Sequence, residues 1–119
     1  MSLQFKATIT KIGAFALDSL EDGIIILFNE SAPEDVSDYC FIHNQGVAFG
    51  VINTQSTLLI GGRDYIVTSV GHTANRNLKL LGHITIKFDG RMEPELPGNI
   101  HVIGVCPQSI NLNDVIVFG

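Results

Sequence analysis

The chain reads as one strand after another. Residues 5–12, FKATITKI, place Phe5, Ala7 and Ile9 on one face and Lys6, Thr8 and Thr10 on the other, the period of a half-buried strand. Residues 24–28, IIILF, are apolar at every position and predict a strand covered on both sides. YCFIH (39–43) and VAFGVI (47–52) are separated by Asn44-Gln45-Gly46, a spacing that predicts a hairpin loop. The clearest hairpin is STLLIGGRDYIVTSVG (56–71), with Gly61-Gly62 at its turn. HITIKF (83–88) alternates cleanly, and NIHVIGV (99–105) and DVIVFG (114–119) predict two further strands.

Helical signals are few. Ser31 and Glu34 have capping-box spacing around Pro33, which predicts a helical turn near 32–38. TANRNLKLL (73–81) predicts a second short helix. Short strands at near-regular spacing, punctuated by glycine turns, predict an all-β domain. For so short a chain the expected form is a small closed or nearly closed β-barrel of about 7–9 strands with one or two helical turns.

Composition narrows the class. At 119 residues, with 45% hydrophobic and 16% charged residues, the sequence predicts a single globular domain over residues 1–119 and excludes a disordered chain. No apolar run approaches the roughly 20 residues of a membrane span, and MSLQFKATITK lacks the pattern of a secretory signal. Cys40 and Cys106 have no CxxC spacing, which fits a reducing compartment, so a cytoplasmic location is expected.

The net charge of −5 argues against a nucleic-acid partner. Its distribution is uneven: residues 12–62 hold Asp18, Glu21, Asp22, Glu30, Glu34, Asp35 and Asp38 and no Lys or Arg. Such a segment is either an ordinary solvated face or one that steers a basic partner.

There is no phosphate-binding nucleotide loop, GxSxG elbow, HExxH or CxxC pair, so the chemistry rests on four histidines. His72 follows Gly71 and reads as a turn residue; His83 shares the polar face of its strand with Thr85 and Lys87. His101, among Ile103 and Val105, reads as a hydrogen-bonded core residue. Metal ligation by several histidines, as in cupin barrels, has no short ligand spacing behind it. His43 ends an apolar strand and is followed by Gly46, which would let backbone N–H groups approach an anion. An imidazole of ordinary pKa, about 6.5, is mostly neutral at pH 7 and has a ring nitrogen available for attack. The strand pattern alone leaves His43 open as a structural residue, a ligand or a nucleophile.

ATITKIGAFALD (7–18), DYCFIH (38–43), RDYIVTSVG (63–71), NLKLLGHITIKFDG (77–90) and ELPGNIHVIG (95–104) resemble, in order, the glucitol/sorbitol-specific IIA component of the bacterial phosphoenolpyruvate-dependent sugar phosphotransferase system. The resemblance implies a phosphocarrier. His43 would be the phosphorylated nucleophile, delivered by its strand to a partner-facing surface, with His83, His101 and Gly46 as candidate supports. The donor would be the phosphocarrier protein HPr, and the acceptor the IIB domain of a glucitol/sorbitol permease with its membrane component IIC. The membrane is then met only through the permease, and neither metal nor nucleotide is needed. The alternative reading is a β-barrel binding or regulatory domain that has lost the relay.

Overall fold

The computed structural model describes residues 3–119, so the first two residues of the expected domain lie outside it. Among the described residues, nine strands and three short helices follow one another. They are β1 (Phe5–Ile12), α1 (Ala16–Glu21), β2 (Ile24–Asn29), α2 (Glu34–Ser37), β3 (Phe41–His43) and β4 (Val47–Ala48), then β5 (Thr57–Ile60), β6 (Arg63–Val70), α3 (Ala74–Leu81), β7 (Ile84–Lys87), β8 (Asn99–Ile103) and β9 (Val115–Phe118). The strands lie in the order β3-β2-β7-β8-β6-β5-β9-β1-β4, and a further β3–β1 pairing closes eight of them into a barrel. Closure satisfies the backbone groups that an open sheet would leave along its edges. The expected barrel is therefore present.

Alternation along the strands fills its interior. Phe5, Ala7 and Ile9 of β1 are at most 1% exposed, and Ile84 and Ile86 of β7 are equally buried. The all-apolar β2 is used on both sides, as its pattern predicts. Ile25 and Leu27 join the barrel core, while Phe28 packs with Cys40 and Ile42 in a second cluster outside it. The β5–β6 hairpin turns at Gly61-Gly62 as expected, with Ile60 opposite Arg63.

Two differences from the sequence reading matter. The pattern gives no signal for α1, whose N-terminus has no side-chain cap; it forms because Ala16 and Leu20, one turn apart, bury against the barrel. The segments around 39–43 and 47–52 do not form a hairpin. Both β3 and β4 run antiparallel to β1, and β3 also lies parallel to β2. The connection Asn44–Gly46 thus continues along β1 instead of reversing.

That connection is a bulge. Between the pairs Ile9↔His43 and Lys6↔Val47, the two residues Ala7 and Thr8 face the three residues Asn44, Gln45 and Gly46. On the other side of His43 the register slips the opposite way, between Ile9 and Lys11 of β1. His43 therefore sits between two compensating irregularities, and Gln45 adopts a left-handed φ of 45° at the bulge.

Candidate functional site around His43

Side chains alternate along β3, so Phe41 and His43 face inward while Ile42 joins the outer cluster. His43 is 0% exposed, and its ring meets the edge of Phe5 in a T-shaped contact with centroids 5.6 Å apart. The expectation of an imidazole presented on a partner-facing surface is corrected here. The strand's end is covered from one side by α3 and from the other by the Asn44–Gly46 bulge.

Both ring nitrogens are held by backbone groups. Nε2 lies 2.8 Å from the carbonyl oxygen of Gly82, and the amide N–H of Gln45 donates to Nδ1 at 2.9 Å. A carbonyl only accepts, so Nε2 carries the proton; an amide N–H only donates, so Nδ1 carries the lone pair. Burial pushes the pKa of His43 below its ordinary value, against the opposing pull of the Gly82 carbonyl and the negative charge of Glu30. The ring is neutral at pH 7.

Gly82 is fitted to this role by the end of α3. It closes the helix at φ 61°, with its N–H bonded to Leu78 O and the N–H of His83 reaching Asn77 O. A Cβ there would stand 2.4 Å from Cε1 of His43, so no side chain fits between helix and ring. Gln45 ties the other side down. Its side-chain amide donates to the carbonyls of Lys79 at 2.7 Å and Leu78 at 3.2 Å, and its Oε1 accepts from Asn29 Nδ2 at 2.7 Å. Asn29, Glu30, Ser31, Asn44 and Gln45 together line an open polar depression, and Gln45 is the lining residue whose amide bonds the His43 ring.

The other candidates lie elsewhere. His83 follows Gly82 in sequence, yet its ring stacks on Phe28, centroids 4.4 Å apart, in the outer cluster. His101 pairs with Lys87, which in turn lies opposite Ile24, at the far end of β2 from the Asn29↔His43 pair. Five residue steps along β2 set the two histidines roughly 16 Å apart in the strand direction alone, on strands three positions apart in the sheet. His101 is 0% exposed, its Nδ1 bonded to Asp89 at 2.7 Å and its Nε2 accepting the N–H of Glu95 at 3.1 Å. His72 is exposed in a turn. The amide that meets the His43 ring belongs to Gln45, one residue before Gly46. Among the described residues, no three His, Cys, Asp or Glu side chains are grouped to hold a metal.

Asn29 and Gly82 have no site role in the sequence reading, and Gln45 enters it only as a loop residue. A glycine directly after the apolar end of a predicted helix marks a left-handed cap, so Gly82 was legible as a cap; its contact with His43 was not.

The closed eight-stranded barrel is a fold shared with a sugar phosphotransferase IIA component. A crystal structure described as the PTS system IIA component from Enterococcus faecalis V583 superimposes with a TM-score of 0.76, at 27% identity, over 93% of this chain and 96% of that one. The PTS system glucitol/sorbitol-specific EIIA components of Escherichia coli K12 and of Shigella flexneri are each 43% identical over 118 residues, which span 99% of this chain and 96% of each relative. The model of the PTS system glucitol/sorbitol-specific IIA component family matches residues 4–117, and the chain belongs to that family. Membership makes it a phosphocarrier component of the sugar phosphotransferase system.

Proposed function

We propose that residues 1–119 act as one glucitol/sorbitol IIA-type domain in the cytoplasm. His43 accepts a phosphoryl group from phosphorylated HPr and passes it to the IIB domain of a glucitol/sorbitol permease. One observation carries the assignment among the four histidines. Among the four histidines His43 alone is buried with its tautomer fixed by two backbone groups, one of them from Gln45, which lines a polar depression with room for a phosphoryl group.

The chemistry needs a neutral ring with one lone pair, and burial supplies the neutral ring. A loose phosphoryl-transfer transition state asks little covalent work of the protein, so fixed orientation of the acceptor nitrogen is the main contribution. Partner contacts in such a relay are small and transient, below about 1,200 Å² in total. No metal or nucleotide of the chain's own enters this reading.

The test is phosphorylation with phosphoenolpyruvate, enzyme I and HPr. An acid-labile, base-stable phosphoryl group located on His43 by mass spectrometry is the expected result. Its persistence on a folded His43→Ala variant overturns the assignment.

A further inference from the structure

We propose that the outer wall of β5, β6 and β8 is a self-association surface, on which a second copy of this chain docks across a two-fold axis. The contact is separate from the site around His43 and leaves that side of each copy open to other partners.

Alternation along these strands decides what the wall shows. Tyr65 and Val67 of β6 and Ile100 and Val102 of β8 enter the core, so Asp64, Ile66 and Thr68 point outward, as does Ile103. Ile66 and Ile103 are paired directly across the two strands and are 60% and 57% exposed. Val105 follows at the end of β8, 76% exposed, with its carbonyl bonded to Tyr65 Oη at 2.8 Å beside Asp64. Leu59 of β5, opposite Asp64, extends the apolar area on the other side. On the far wall the outward-facing Phe28 and Ile42 are buried in their own cluster. Single exposed apolar residues need no explanation, but an in-register group on a bare sheet marks a contact surface.

Charge and shape favour a second copy as the occupant. In the closed barrel β6 stands four strands from β3 in either direction, so this wall lies opposite the His43 strand. Residues 63–119 balance five basic against five acidic residues, whereas the seven acids of 12–62 lie on or beside α1, α2 and the end of β2. Two copies meeting here keep their acidic segments apart. The wall is also a step that fits itself. The 88–98 crossover covers β6 at one end, where the Arg91 carbonyl accepts from Thr68 Oγ1 at 2.7 Å and Ser69 Oγ at 2.8 Å. Asp64 and Val105 stand at the other, uncovered end. A two-fold axis lying across the strands at Ile66 runs the two β6 strands antiparallel and brings Ile66 onto Ile66. It sets Asp64 and Val105 of each copy against the exposed Arg91 and Met92 of the other, opposite charges together and apolar side chains together.

Sedimentation velocity of the whole protein over a concentration series tests the contact. A reversible monomer–dimer equilibrium is expected. Ile66→Lys, which alters no buried position, should abolish the dimer and leave phosphoryl acceptance unchanged. Asp64→Arg and Arg91→Asp should each raise the dissociation constant several-fold, and the double exchange should restore it, because each Asp–Arg pair is then re-formed in reverse. A monomer at every concentration overturns the proposal. A monomer that gains mass only when a IIB domain is added assigns the wall to that partner and overturns the self-contact. A dimer that persists in folded Ile66→Lys, or single exchanges that the double does not rescue, rejects the two-fold arrangement. Loss of phosphoryl acceptance by folded Ile66→Lys rejects the separation of this wall from the relay.

Discussion

The carbonyl oxygen of Gly82 accepts a hydrogen bond from Nε2 of His43 across 2.8 Å, joining the left-handed cap of α3 to the end of β3. This contact sets the tautomer, and it fails if anything larger than hydrogen occupies the Gly82 α-carbon. Gly82→Ala combines a left-handed alanine with a Cβ 2.4 Å from the ring. A loss of about 2–4 kcal/mol in denaturant unfolding is expected, together with a large fall in phosphoryl acceptance. A variant with wild-type stability and transfer would show that the ring has room to move away from the helix.

The pH response follows from the lowered pKa of His43. Burial keeps the ring neutral in the folded protein, whereas the unfolded chain protonates near the ordinary value of about 6.5. Below that pH the unfolded state binds more protons, so stability falls with acidification until the folded ring itself titrates. His83, lowered by burial in the same direction, adds to the loss. Phosphoryl acceptance should stay level as pH drops through 6.5 and decline only at lower pH, which stopped-flow rates and histidine NMR titration will resolve.

Glu30 is the acid whose charge bears on His43, raising its pKa from an exposed position where its carboxylate accepts from Thr10 Oγ1. It also lines the depression, where it opposes a phosphoryl group carrying about −1.5 to −2 charges. Glu30→Gln should lower the His43 pKa further and lengthen the lifetime of the loaded protein. Repulsion from Glu30 would keep the carrier from holding its cargo too firmly. An unaltered lifetime would remove this acid from the mechanism.

His101 and Asp89 form a structural pair. His101 links Asp89 to the backbone N–H of Glu95 and so fastens the 88–98 crossover to β8. Burial works against the Asp89 carboxylate, but the His101 bond and nearby backbone N–H groups hold its pKa below the ordinary value. His101→Ala should cost about 2–4 kcal/mol in stability and leave the phosphoryl transfer rate at His43 unchanged. A comparable fall in transfer by the folded variant would restore His101 as a support.

Glu34, Asp35 and Asp38 are exposed on and beside α2, while Glu30 alone among the acids bears on the ring. The acidic segment is therefore compatible with steering a basic partner without protonating the nucleophile. Converting these three to amides should slow second-order transfer from phosphorylated HPr at low salt and flatten its salt dependence. Rates that match wild type across ionic strength would reject steering.

Period-two alternation in FKATITKI and HITIKF, the unbroken IIILF and the Gly61-Gly62 hairpin determined an all-β barrel, because each states which face of a strand must leave water. The matched segments, DYCFIH among them, likewise pointed to His43. What the sequence could not state was its setting. Whether Asn44-Gln45-Gly46 reverses the chain or bulges along β1 depends on β1 being there to pair with, a relationship between residues nearly forty positions apart. Gly82 stands a further 39 positions along, and only the packing of α3 brings its carbonyl to the ring. The family resemblance names the histidine, while its burial, its tautomer and the Gln45 amide against its ring arise from groups that meet only when the barrel closes.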